Sequence, residues 1–126
     1  MCGVMDGKIY AIGGRLRWTS NEVTTVEVYD PVTDAWTTKT SMIWAHESGA
    51  GGVVNGKFYA VGGVSDSITD YVEEYDPVTD TWSAKSPMPT GRPSLTVSVV
   101  GSQLYAIGGM LDLTTTEAYT PALDGL

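Results

Sequence analysis

YDPVTDAW at 29–36 and YDPVTDTW at 75–82 differ in a single residue, and a worn third copy, YTPALDGL, stands at 119–126. Ahead of each lies a second phrase: YAIGG at 10–14, YAVGG at 59–63 and YAIGG at 105–109. The leading tyrosines Tyr10, Tyr59 and Tyr105 are 49 and 46 residues apart. Self-similarity at a period near 50 marks a repeat architecture, in which each unit buries its apolar face only against its neighbours.

The second unit shows what a repeat contains. Residues 48–54 are small and apolar, and Asn55-Gly56 follows as a turn. Asn-Gly between apolar runs is the strongest short hairpin signal, because both residues accept positive φ. Residues 57–61 form a second strand that Gly62-Gly63 stops, and 71–75 a third. Asp76-Pro77-Val78-Thr79-Asp80 is turn chemistry, since proline presets φ and aspartate bonds its own backbone. Residues 81–85 make a fourth strand. These strands are a, b, c and d. No window carries apolar residues at i, i+3, i+4, i+7 over a helical length, so essentially no helix is expected.

A double glycine after an aromatic-containing strand, with a tyrosine and a tryptophan downstream, resembles the kelch motif, and the resemblance covers nearly the whole chain. It implies an all-β kelch-type β-propeller fragment of about three blades, each of four antiparallel strands, with strand a lining the central channel. One partial propeller is expected over 1–126, with blades at about 1–41, 46–86 and 92–126. Leu126 aligns with Trp36 and Trp82, so the last blade is expected to lack its outer strand. A β-sandwich would explain the short strands but not the near-identical phrases. Closed kelch rings have about six blades, as the resemblance implies. Three blades leave two faces bare, so the chain is either a piece of a longer protein or a self-associating half-ring. Tyr10, Tyr59 and Tyr105, with Trp36 and Trp82, are expected to pack between blades. The glycine pairs are expected to permit close backbone contact rather than cradle phosphate, since neither GxGxxG nor GxxxxGK[ST] occurs.

Seven Lys and Arg stand against 15 Asp and Glu, a formal net charge of −8. Nucleic-acid binding needs a basic footprint, so it is not expected. Much of the acid is turn chemistry: Asp30, Asp34, Asp76, Asp80 and Asp124 all fall in c–d turns. No apolar run approaches a membrane span, and Met1 opens almost directly into strand a, leaving no room for a signal peptide. Cys2 is the single cysteine, so no internal disulfide forms and the compartment stays open.

Strand alternation places the a–b and c–d turns on one face of the ring and the b–c and d–a loops on the other. From the second glycine to the tyrosine that opens the YDPVTDxW phrase or its worn copy the spans are 15, 12 and 10 residues, whereas from Trp36 to Tyr59 and from Trp82 to Tyr105 the span is 23 both times. Only the b–c loops vary, and variable loops on a fixed scaffold are where recognition is placed. The partner-binding candidates are Arg15, Arg17, Trp18, His46 and Arg92. Trp and Arg are favoured interface anchors. Trp18 sits among arginines in a polar loop, where it either anchors a partner or folds back over the blade. His46 and Arg92 each stand ten residues after their tryptophan. The family resemblance implies an arginine near the start of strand a that faces the channel mouth and contacts partner carboxylates. Arg92 matches it and His46 departs from it. Against that stands a second reading, that Arg92 caps a loop carbonyl or pairs with a neighbouring acid.

Catalysis needs a constellation. Ser48, Ser94, His46 and Glu47 are nominally available for a hydrolytic set, but Ser48 and His46 share one segment and the serines belong to the repeat register. One His and one Cys do not make a metal site, and no cofactor is expected. The leading reading is a non-catalytic scaffold that presents its b–c and d–a loops to a protein or peptide. The alternative is a fragment of a secreted carbohydrate-binding or carbohydrate-active kelch-like propeller.

Overall fold

The computed structural model describes residues 1–16, 22–110 and 113–121. Three antiparallel sheets follow one another along the chain. The first is β1 (Cys2–Met5), β2 (Lys8–Arg15), β3 (Glu22–Asp30) and β4 (Ala35–Lys39), in that order. The second contains β5 (Ala50–Val54), β6 (Lys57–Val61), β9 (Val72–Asp76) and β10 (Thr81–Lys85), again in chain order across the sheet. The third has β11 (Thr96–Val100), β12 (Gln103–Ile107) and β13 (Thr116–Tyr119). Four, four and three strands, with no helix among the described residues, form the propeller segment expected from the sequence. A small hairpin of β7 (Val64–Ser65) and β8 (Ser67–Ile68) was not anticipated; it lies within the second b–c loop and turns at Asp66, where φ is 61°.

The repeated phrases fold by repeated chemistry. Asp6-Gly7 and Asn55-Gly56 take positive φ at both positions, the geometry of a tight a–b hairpin. In the c–d turns, the Asp30 carboxylate accepts from the Val32 N–H at 2.9 Å, and Asp76 accepts from Val78 at 2.9 Å. Asp34 and Asp80 then adopt left-handed backbones and accept the hydroxyls of Tyr29 and Tyr75, at 2.8 and 2.7 Å. Across the strands Tyr29 faces Trp36 and Tyr75 faces Trp82, with ring centroids 5.2 and 5.1 Å apart at 41° in both blades. YDPVTDxW is therefore a self-contained turn that closes with an aromatic pair. Two boundaries differ from expectation. Strand c of the second blade runs Val72–Asp76 rather than 71–75. The second blade's inner strand begins at Ala50 rather than Ser48, because Ser48 takes φ 55° and the Gly49 N–H turns back onto the His46 carbonyl at 2.9 Å.

The core lies between blades rather than within them. One cluster joins Met5, Tyr10, Ile12, Val26 and Val28 of the first blade to Phe58, Ala60 and Tyr75 of the second. The other joins Val54, Tyr59, Val61 and Val72 to Leu95, Leu104 and Ala106 of the third. Tyr10 and Tyr59 are buried, each with its ring against a strand-c tyrosine of the next blade, at 5.8 Å from Tyr75 and 6.0 Å from Tyr119. Polar ties reinforce the first contact. Thr40 donates its N–H to Asp80 at 3.0 Å and accepts the Trp82 indole N–H at 2.9 Å. The Thr40 N–H, and after it the Tyr75 hydroxyl, hold the Asp80 carboxyl below its ordinary value. A lowered folded pKa adds stability that is present above the unfolded value and is lost as pH falls through the folded one, so this tie loosens only in acid.

The expectation that both tryptophans pack between blades needs correction. Trp82 is partly buried against the first blade, but Trp36, in the matching position, is 58% exposed. Both look toward the preceding blade, and the described residues include such a blade only for Trp82. Trp82→Ala should therefore lower unfolding stability by about 2–4 kcal/mol. Trp36→Ala should lower it by less than about 1 kcal/mol in the same urea titration. Equal losses at the two sites would contradict the assignment of faces.

Candidate functional site

The b–c and d–a loops converge on one end of the array, and the d–a segments are tied down by buried basic side chains. Arg92, just before β11, has no exposed surface. Its Nε donates to Glu117 on β13 at 2.8 Å. Nη1 donates to the carbonyls of Gly108 and Thr115, each at 2.8 Å, and Nη2 to the Thr115 hydroxyl at 2.6 Å. His46, just before β5, does the same in the second blade. Its Nδ1 donates to the Gly62 carbonyl at 2.7 Å and its Nε2 lies 3.1 Å from Glu73 on β9. Gly62 and Gly108 are the first glycines of their pairs, and Glu73 and Glu117 each stand two residues before the strand-c tyrosine. The two side chains thus fill one repeated site, the imidazole ring standing where the guanidinium stands in the third blade. Glu73 also accepts the N–H groups of Ile43 and Trp44, at 2.9 and 3.4 Å.

Around these anchors the backbone closes tightly. Glu47 and Val64 exchange N–H···O bonds at 3.0 and 2.8 Å, and the Met110 N–H reaches Pro93 at 2.8 Å in the equivalent place. The Gly63 N–H donates to the Arg92 carbonyl at 2.8 Å, and the Ser94 N–H to the Ser48 carbonyl at 2.8 Å, which links consecutive blades. A Cβ on Gly63 would meet the Glu47 carbonyl at 2.5 Å, at a φ of +86°. The pair is glycine because the d–a segment lies against it, as expected from the sequence.

The candidates therefore separate. His46 and Arg92 were both expected among the partner-binding residues, Arg92 at the channel mouth; both are buried and hydrogen-bonded inside the blade, and this corrects their exposure. Arg92 caps loop carbonyls and pairs with Glu117, the second of its two readings. Arg15 lies at the surface, its guanidinium 3.0 Å from Glu47. Arg17 and Trp18 lie outside the described residues. The structure adds an aromatic pair that sequence reasoning missed: Tyr71, exposed just before strand c, stacks on Trp44 of the d–a segment with centroids 4.4 Å apart. The signal was present, since Tyr71 occupies the place of Thr25 and Thr115 in the other units. Among the described residues, no group of three His, Cys, Asp or Glu side chains could hold a metal ion. A cavity of about 700 Å³, lined by residues such as Lys8, Asp30 and Lys39, opens at the a–b and c–d turn end, away from these loops.

Comparison with known proteins follows the same register. A model of the Kelch motif matches residues 2–43 and 49–89. An F-box/kelch-repeat protein of Arabidopsis thaliana is 40% identical over 62 residues, which is 49% of this chain and 13% of that protein. Kelch-like protein 26 of Danio rerio is 40% identical over 70 residues, 53% of this chain and 11% of that protein. The solved structure of YjhT superposes with a TM-score of 0.79 at 19% identity, covering 94% of this chain and 49% of that one. The chain thus spans about half of that structure and a small part of the two curated relatives.

If Arg92 carries the third blade's loop, Arg92→Ala should destabilise the protein by about 3–5 kcal/mol, because Glu117 and two carbonyls lose their donor. Arg92→Lys should recover less than half of that loss, since one ammonium cannot reproduce a fork that serves four acceptor atoms. Chemical denaturation reads both. A near-neutral Arg92→Ala would refute the anchoring role.

Proposed function

The chain belongs to the kelch-repeat family, and on that footing we propose that it is a non-catalytic binding module whose b–c and d–a loops meet a protein or peptide partner. The observation that carries this reading is the division of labour at that end. Buried His46 and Arg92 immobilise the d–a segments, while Arg15, Trp44 and Tyr71 project above them on a preorganised base. A rigid base lowers the ordering cost of binding, and aromatic and arginine side chains are the residues that most often carry interface energy. Arg17 and Trp18, from the longest b–c loop, complete the proposed surface. His46 and Arg92 contribute indirectly, by fixing the loops.

A displayed peptide library selected on the intact chain tests the loop face. Trp18→Ala, Trp44→Ala and Tyr71→Ala should each weaken the selected peptides by about tenfold or more, roughly 1.4 kcal/mol. Val32→Ala and Val78→Ala, at the exposed tips of the c–d turns, should change affinity less than about twofold. Asp34 and Asp80 are poorer controls, because both hold tyrosine hydroxyls. Peptides lost through Val32 and Val78 but indifferent to the loop aromatics would assign the working face to the opposite end.

A further inference from the structure

We propose that the cleft between the first and second blades, at the a–b and c–d turn end, binds a small organic monocarboxylate. The second blade shows the same register with a carboxylate of its own. Glu74 on strand c is buried on the side that faces the third blade. Its oxygens meet the Tyr59 hydroxyl at 2.5 Å, the Lys57 ammonium at 3.4 Å and the Lys85 ammonium at 3.7 Å. Strands b and d thus hold three donors around one carboxylate.

The first blade keeps the donors and changes the acceptor. Tyr10, Lys8 and Lys39 stand in the places of Tyr59, Lys57 and Lys85, but Val28 stands in the place of Glu74. The strand pairing is the same, Tyr10 with Val28 as Tyr59 with Glu74. All four side chains line the cavity of about 700 Å³. Lys8 retains its turn acid, Asp30 at 3.7 Å, as Lys57 retains Asp76 at 3.8 Å. Tyr10 is 5% exposed, and among the described residues neither its hydroxyl nor the Lys39 ammonium has a hydrogen-bond partner. Asp80, which Lys39 also attracts, is already committed to the Thr40 N–H and the Tyr75 hydroxyl.

Such donors favour a ligand that supplies oxygen acceptors. A carboxylate lying over Val28 would meet the groups that meet Glu74 one blade on. Its apolar part would rest on buried Met5 and Val28. The rim also carries Asp6 and Asp30, and the chain a formal charge of −8, so one carboxylate is favoured over a dianion. The cleft lies between two blades that the chain itself contains, at the end opposite the loop surface.

Amide chemical shifts of the intact chain, titrated with sodium butyrate from about 0.1 to 50 mM at constant ionic strength, provide the test. Saturable shifts at Lys8, Tyr10 and Lys39, with a Kd of about 1–10 mM, are expected. Butylammonium should produce none, and sulfate should bind at least about threefold more weakly. Val28→Glu gives the donors a carboxylate of the chain's own and should weaken butyrate more than about tenfold. Lys39→Gln leaves the buried position intact and should weaken it at least about threefold. Lys85→Gln, the matching change in the second blade, should alter affinity less than about twofold, because Glu74 is the partner there. Circular dichroism checks each fold, and Lys39→Gln decides if Val28→Glu does not fold. Shifts that do not saturate at these residues, or an affinity that a folded Val28→Glu or Lys39→Gln leaves unchanged, overturn the site. Sulfate binding as tightly as butyrate overturns the carboxylate class.

Discussion

Each d–a segment of this protein crosses over a glycine pair, and what holds it there is a buried basic side chain that reaches down to the first glycine's carbonyl and across to a strand-c glutamate. A buried charge is tolerated only when it is paired and its donors are satisfied. That demand ties the start of strand a, the end of strand b and the middle of strand c into one knot. Arg92 meets it with Glu117, Gly108 and Thr115, and His46 with Glu73 and Gly62. The loops above inherit their positions from that knot, and the glycines are required because the segment lies too close for a side chain.

In the first blade the strand-c glutamate, Glu27, is exposed, and the register position that His46 and Arg92 occupy falls before Met1. Its b–c connection is also the longest, and β2 and β3 continue past a register shift to pair Arg15 with Glu22. The blade with the most recognition candidates is thus the one whose b–c loop springs from an extended hairpin.

The propeller array was legible in the sequence because the turns are chemically local. Asp30 and Asp34 act on groups two and five residues away, and so do their counterparts Asp76 and Asp80. The anchors were legible only by register. His46 and Arg92 share a place in the repeat, but their carboxylates lie 27 and 25 residues downstream, and spacing alone does not reveal that a side chain points inward to a strand two removed. Exposure of Trp36 was not legible from its own phrase, which differs from that of Trp82 by one residue. What separates them is the presence or absence of a blade alongside. Tyr71 could have been found as an aromatic where the repeat otherwise has threonine. The β7–β8 hairpin rests on a left-handed Asp66 within a polar loop that carries no strand pattern.

The central claim is that a buried cation and a strand-c carboxylate act as a unit beneath the loop face. A double-mutant cycle on Arg92 and Glu117 measures it most directly, with Arg92→Met, Glu117→Gln and the double variant unfolded in denaturant under identical conditions. The account predicts a coupling free energy of about 1.5–3 kcal/mol, as for hydrogen-bonded charged groups in contact. A coupling within about 0.5 kcal/mol of zero, the range of independent sites, would contradict it.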